Sequence, residues 1–251
     1  MALVTGATGA IGGAIARRLA ATPGFRVVIV ARDADKAAAA QTALRQATGN
    51  PDIHCEYADL ALAKRWQGPL HVLINAAAET PRARQVTVEG IERQFATNVL
   101  GYFRLIEALT PALRAAAPAR VVNVASYWAG GLDLDDLEFK RRRYDNDSAY
   151  RQAKQANRML SVAFAERLRP HGVTVNACHP GDVRSRLAGN LGFGGHESPD
   201  EGARTPVWLA TEEIGGKITG KYFEHQREIP CRFAADRAAI EALYAACLAY
   251  Q

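Results

Sequence analysis

Short runs of consecutive apolar residues alternate along the chain with longer stretches in which apolar positions recur every third or fourth residue. Ala2–Thr5 has the continuous apolar character of a buried strand. The following stretch, 11–21, is alanine-rich with Ile15 and Leu19 on one side and predicts a helix. Arg26-Val-Val-Ile-Val-Ala31 is β-branched without alternation, as in a parallel strand covered on both faces. Residues 33–47 are again alanine-rich and stop at Thr48-Gly-Asn-Pro51. Further strands are expected at 53–57, 70–74, 120–125, 173–178 and 219–223, with helical patterns between most of them. The pattern from Val88 to Leu113 predicts one helix or two, with Gly101 and Pro111 as weak points. Repeated strand–helix units predict an α/β domain, a doubly wound parallel sheet of about seven strands with helices on both faces. No internal repeat, low-complexity tract or linker interrupts it, so 1–251 reads as one domain.

Composition narrows the classes that remain. At 251 residues and 48% hydrophobic, with 23% charged, the chain can bury a substantial core and is not of disordered type. No run of eighteen apolar residues occurs, and no basic segment precedes the apolar start, so neither a membrane span nor a signal peptide is expected. Cys55, Cys178, Cys231 and Cys247 form no CxxC pair. They predict no metal site and no disulfide framework, and a reducing cytoplasm fits them best. The net charge of +5 raises nucleic acid as a partner, with Lys140-Arg-Arg-Arg143 as the sharpest basic run. Asp133, Asp135, Asp136 and Glu138 precede it and Asp145 and Asp147 follow, so an internally paired loop is expected instead.

Candidate chemistry begins at Thr5-Gly-Ala-Thr-Gly-Ala-Ile-Gly12, between the first strand and the first helix. A glycine triplet alone is also what an ordinary tight turn shows. In this position, Gly6, Thr8, Gly9, Ala10, Ile11 and Gly12 would let backbone N–H groups cradle the pyrophosphate of a dinucleotide. Gly6 would make the turn, Gly9 the close approach to phosphate and Gly12 the close packing of the helix. In dinucleotide-binding folds that prefer NAD, a carboxylate at the end of the second strand accepts from the ribose 2′-hydroxyl. Here that position is Ala31 and Arg32 follows, which suits the 2′-phosphate of NADP(H), with NAD(H) as the alternative. Asp33 is expected to cap the next helix. Further on, Tyr150 and Lys154 are four residues apart at the start of a helical stretch and share one face. A tyrosine free in water titrates near 10, and a nearby ammonium with a cationic nicotinamide would favour its phenolate. Ser126, just after the apolar strand ending at Ala125, is placed to hydrogen-bond the same substrate oxygen.

With these residues the chain resembles the short-chain dehydrogenase/reductase family over nearly its whole length. The resemblance also rests on Asp59-Leu60, Asn75-Ala-Ala-Ala78, Asn98 within Thr97-Asn-Val-Leu-Gly-Tyr-Phe103, and Pro180-Gly181. It implies a Rossmann fold, a catalytic set of Ser126, Tyr150 and Lys154 with Asn98 supporting a proton relay, and Lys154 holding the nicotinamide ribose. It implies adenine contact at Asp59 and Leu60, and cofactor contact along Asn75, Ala76 and Ala77. Pro180 and Gly181 would border nicotinamide, with Val183 and Ser185 at its carboxamide. The stretches 98–103, 149–157, 178–181 and 219–223, and the long gap between Ser126 and Tyr150, resemble the retinol dehydrogenase and protochlorophyllide reductase-like branch. The family's habit of pairing suggests a homodimer or homotetramer.

Departures temper this. Position 10 is Ala where most short members have Gly, and Asn75-Ala-Ala-Ala78 replaces Asn-Asn-Ala-Gly. The glycines at 6, 9 and 12 match the spacing of the family's extended branch, but no room remains after the last expected strand for that branch's second domain. The 127–149 insert precedes Tyr150, and the glycine-rich segment of about 182–200 suits either a lid or a plain surface loop. Tyr127 and Trp128 could wall a pocket or pack the insert, and His179 is expected to be structural. The reading is an enzyme: an NADP(H)-dependent oxidoreductase acting on a small apolar or aromatic carbonyl or alcohol. Alternatives are a reductase of an activated C=C bond and a non-catalytic dinucleotide-binding regulator.

Overall fold

The computed structural model describes residues 1–57 and 66–250. One sheet has the strand order β3-β2-β1-β4-β5-β6-β7-β8. In chain order these are β1 (Ala2–Thr5), β2 (Val27–Ala31), β3 (Ile53–Tyr57), β4 (Val72–Asn75), β5 (Ala119–Val124), β6 (Val173–His179), β7 (Tyr222–Glu224) and β8 (Arg227–Ile229). The first seven are parallel, and β8 returns antiparallel on β7. The eighth strand departs from the seven expected. Its turn uses His225 and Gln226 at φ 46° and 61°, where Asn-Gly or Asp-Gly usually announces a hairpin, and its three residues are too few to show a period.

Helices cover both faces. They are α1 (Ala10–Ala21), α2 (Ala34–Thr48), α3 (Gly101–Ala115), α4 (Asn146–Leu168), α5 (Arg186–Asn190), α6 (Pro199–Gly202), α7 (Arg204–Thr211), α8 (Glu213–Lys217) and α9 (Arg237–Leu248). A π-helical segment, Phe95–Leu100, runs straight into α3, so the expected weak point at Gly101 is a change of helical pitch rather than a break. None of the described helices is long and apolar enough to cross a membrane.

Parallel strands buried on both faces explain the unbroken apolar runs. On one side Leu3, Leu73, Val121 and Val175 pack with Ile106 and Leu109 of α3, Met159 and Phe164 of α4, and Leu243 of α9. On the other, Val4, Ile29, Ile74 and Val122 pack with Ile15 and Leu19 of α1, Leu44 of α2 and Leu209 of α7. Each such side chain contributes roughly 1.5–3 kcal/mol by leaving water. β1 lies between β2 and β4, so the first strand is supported from both sides.

The insert ahead of α4 is tied down by polar contacts. Gln152 of α4 accepts from Asp133 N and donates to Leu137 O, and Gln155 accepts from Leu132 N. Asp136, its side chain 2% exposed, accepts from the backbone N–H of Lys140 at 2.7 Å and Arg142 at 2.9 Å, and from Arg142 Nε at 3.2 Å. Lys140 Nζ meets Glu138 at 2.7 Å. The basic run is therefore folded onto its own acidic flank, as its charge pattern predicts.

These donors hold the Asp136 carboxyl down at about 2, against the desolvation that works the other way. A folded-state value below the unfolded one makes its contribution complete above about pH 4 and lost as pH falls through about 2. Asp136→Asn should therefore lower stability by roughly 1–3 kcal/mol at pH 7. In urea titrations, the gap between variant and wild type should narrow as pH falls from about 4 toward 2.

Candidate active site

The sheet order reverses between β1 and β4, and that switch point opens a crevice at the carboxyl ends of the strands. Two loops meet there. Gly6 leaves β1 at φ +71°, and a Cβ on it would lie 2.7 Å from Ala77 Cα in the loop after β4. Thr5 Oγ1 joins the loops by accepting from Ala76 N at 2.9 Å and Ala77 N at 3.1 Å. A Cβ on Gly12 would lie 2.3 Å from Gly6 O, so α1 can start this close to the loop only with glycine there. Gly12 thus packs the helix against its own turn, one step from the helix-on-strand contact expected. The N-cap of α1 is Gly9, with no side-chain cap and no acidic residue in the first turn. Its leading N–H groups keep their partial positive charge for an anion. Thr8 and Gly9 are exposed, Ala10 and Ile11 half-buried.

The candidate reacting groups lie on α4 and just past β5. Tyr150, Lys154, Asn157 and Ser161 fall at spacings of four, three and four, forming a polar stripe on a buried helix face. Lys154 Nζ donates to Val124 O at 2.8 Å and sits 5.6 Å from the ring centroids of both Tyr102 and Tyr150. Asn157 Nδ2 donates to Asn98 O at 2.7 Å, and Ser161 Oγ accepts from Asn123 Nδ2 at 2.9 Å. Ser126, two residues past β5, accepts from Trp128 N at 3.0 Å, and its hydroxyl favours ionisation of Tyr150. Ser126 and Tyr150 open onto a shared small pocket of about 40 Å³ that is partly open to solvent. Tyr127, Trp128, His179, Asp182, Leu187, Ala188 and Phe193 also line it. Trp128 and Phe193 pack with ring centroids 5.5 Å apart. Both aromatic residues after Ser126 thus face the pocket, and the 182–200 segment lies over it through Leu187, Ala188 and Phe193.

Burial dominates the titration of these groups. It pushes Tyr150 up to about 12; the Ser126 hydrogen bond opposes this and the Asp182 charge adds to it. It brings Lys154 down to about 7. The protein by itself therefore does not supply the lowered tyrosine expected from the Tyr–Lys pairing, because desolvation is the largest influence on both side chains. Tyr150 is a phenol, a proton donor, at neutral pH. His179, packed edge-on against Tyr127 at 4.6 Å, is brought down to about 3, first by burial and then by His225, Arg158 and Lys154, and stays neutral.

Other expected residues find varied places. Asp33 caps α2 by accepting from Lys36 N at 3.0 Å, as anticipated. Arg32 is exposed at the end of β2, but its guanidinium is paired with Glu79, which Arg93 also contacts at 2.9 Å. Asn75 turns its fully buried side chain inward to Asn123 at 2.9 Å, so it does not present that side chain at the crevice. The neighbouring strand β5 offers the buried Asn123 side-chain oxygen there, and the Asn75 amide donates to it. The Asn98 side chain holds the backbone of Glu79, accepting at 2.8 Å and donating at 2.9 Å, and its own carbonyl goes to Asn157. Pro180, Gly181, Val183 and Ser185 line the pocket, with Ser185 also capping α5 through Ala188 N. Asp59 and Leu60 lie outside the described residues. Asn157, Glu79, Asp182 and Phe193 were not anticipated. The polar stripe of α4 carried a legible signal for Asn157, whereas the others depend on loops meeting in space.

The site fits a nicotinamide dinucleotide. The glycine cradle would be filled by any Cβ at Gly6 or Gly12, the α1 N-terminus is uncapped, and Asn157 Oδ1 is a buried acceptor without a protein donor. A family model described as short chain dehydrogenase matches residues 1–192. Retinol dehydrogenase 13 of Mus musculus is 34% identical over 90% of this chain and 75% of its own length. A putative uncharacterized protein from Mycobacterium paratuberculosis superimposes with a TM-score of 0.81 at 29% identity, covering 98% of this chain and 91% of its own. The RhlG/NADP active-site complex of Pseudomonas aeruginosa superimposes at 0.70 and 29% identity, covering 89% and 93%.

The cradle geometry separates two variants. Ala10→Val should weaken dinucleotide binding several-fold in calorimetric titration while leaving the melting temperature within a degree or two of wild type, roughly the surface-mutation range. Gly12→Ala, whose new methyl meets the Gly6 carbonyl, should lower the melting temperature as well as the affinity.

Proposed function

We propose a reaction for this chain, which belongs to the short-chain dehydrogenase family: NADP(H)-dependent hydride transfer between a ketone or aldehyde and the matching alcohol. The observation that carries the reading is that Tyr150 and Ser126 line one open pocket, with Lys154 one turn further along the same helix as Tyr150. Bound NADP(H) supplies the hydride in reduction and takes it up in oxidation.

The chain's own residues do the rest. Ser126 Oγ and Tyr150 Oη converge on one point, where they hold and polarise a carbonyl oxygen. In reduction, Tyr150 gives its proton to that oxygen as the hydride reaches the carbon; in oxidation, it takes the proton from the alcohol. Lys154, fixed by the Val124 carbonyl, places positive charge beside the phenol ring and favours the phenolate formed during reduction. Asn157 and Asn98 keep α4 and the π-helical segment in register beside it. Leu187, Ala188 and Phe193 limit water access to the oxygen.

Arg32 supports NADP(H) over NAD(H): its guanidinium stands at the end of β2 and can exchange Glu79 for a 2′-phosphate. The solved RhlG complex, similar in fold and 29% identical, was obtained with NADP, in line with that preference.

Tyr150→Phe should lower kcat by roughly 10²–10⁴-fold with NADPH affinity nearly unchanged; retention of most turnover in a spectrophotometric assay would remove Tyr150 from the mechanism. Arg32→Ala should weaken NADPH about tenfold or more without changing NADH, as for the loss of a charge-assisted phosphate contact. Equal affinity for the two cofactors, unaltered by the substitution, would reject Arg32 as the phosphate clamp.

A further inference from the structure

The pocket beside Tyr150 has an unusual balance of charge for an apolar site. Its walls are Tyr127, Trp128, Leu187, Ala188 and Phe193, and its lining contains no lysine or arginine. It does contain one carboxylate, Asp182. Among the described residues the only side-chain partner of that carboxylate is the Tyr127 hydroxyl, at 3.5 Å, the outer limit of a hydrogen bond. The backbone carbonyl of Asp182 is fixed separately, accepting from His196 N at 2.8 Å and Glu197 N at 3.1 Å. The residue is thus held by its main chain, while its charged group is left with little to neutralise it.

Asp182 follows the Pro180-Gly181 turn, and its carboxylate reaches the Tyr127 hydroxyl. Tyr127, Trp128 and Phe193 line the same pocket as Ser126 and Tyr150.

We infer that this site takes a carbonyl or alcohol substrate bearing a cationic amine, its ammonium held by Asp182 among the rings of Tyr127, Trp128 and Phe193. This rests on the reading of Tyr150 as the group that protonates the reacting oxygen. A wholly apolar substrate filling the pocket would strip water from Asp182 and return nothing for it. A carboxylate-bearing substrate would meet like charge without a cation to offset it. An ammonium satisfies the carboxylate and gains from the aromatic faces around it. It also offsets the Asp182 charge, which otherwise works against ionisation of Tyr150.

Three matched ketones test the inference on the NADP⁺-saturated protein by isothermal titration calorimetry at pH 7: 4-(aminomethyl)acetophenone, 4-(hydroxymethyl)acetophenone and 4-acetylbenzoate. The amine should bind about fivefold or more tightly than the neutral alcohol, and the benzoate most weakly. Asp182→Asn should bring the amine and the alcohol to within about twofold of each other. The inference is overturned if the wild-type protein shows no preference for the amine or if the preference survives in Asp182→Asn. It is equally overturned if the preference exists only without NADP⁺, since the amine then occupies the nicotinamide's place. Turnover of the same ketones with NADPH is read separately. Selective binding of the amine with no reduction of any of the three would reject the carbonyl chemistry and leave the amine subsite standing.

Discussion

The site depends on the burial of a polar stripe along α4. A helix that places Tyr150, Lys154, Asn157 and Ser161 against a sheet must satisfy each of them there, because buried polar groups without partners are costly. It does so through β5 and the π-helical segment for all but Asn157 Oδ1, which keeps no protein donor. Val124 O takes the Lys154 ammonium, Asn123 Nδ2 reaches Ser161, and Asn98 O receives Asn157. Since the partners lie on different elements, only one sliding position and one rotation of the helix satisfy them all. That position puts the Tyr150 hydroxyl beside Ser126. Apolar packing alone, which mixes small alanines with larger side chains on this helix, would tolerate a wider range.

A second constraint fixes the other half of the crevice. Gly6 and Gly12 let the β1 turn approach both Ala77 and the start of α1, and Thr5 stitches the two loops by side-chain acceptance of two amides. The replacement of larger or more flexible residues by Ala76 and Ala78 is compatible with this because the loop is held through its backbone. Asn98 extends the same logic by fastening the backbone of Glu79 at both its N–H and its carbonyl. Backbone rather than side chain therefore carries the geometry of the crevice, while Arg32, paired with Glu79, is the exposed charged element at the end of β2.

Electrostatics in the pocket follow from the same burial. Tyr150 is raised to about 12 and Lys154 lowered to about 7, so the protein holds a neutral phenol next to an amine whose charge is finely balanced. Both groups are then sensitive to any charge brought into the pocket. Asp182 is the one formal charge already there among the lining residues, and the aromatic walls around it are the other determinant of what can enter.

Much of the fold, and the placement of the candidate site's Tyr150 and Lys154 on one helical face, were legible in the chain. The unbroken β-branched runs dictate a parallel sheet buried on both faces, as the observed burial of β1, β2 and β4 bears out. The Tyr150/Lys154 spacing places both on one helical face, and Asp33 and the acidic flank of Lys140–Arg143 have local partners that sequence separation alone brings near. These are short-range consequences of helical and strand periods and of neighbouring charge. The β8 hairpin escaped because a His-Gln turn lacks the usual glycine or asparagine signal. The inward turn of Asn75, the Glu79 pair of Arg32 and the Asp182 carboxylate among aromatic rings could come only from the tertiary structure. Each is settled by a partner far away in the chain, and nothing in the local pattern of either residue encodes which loop will stand opposite it once the sheet has closed.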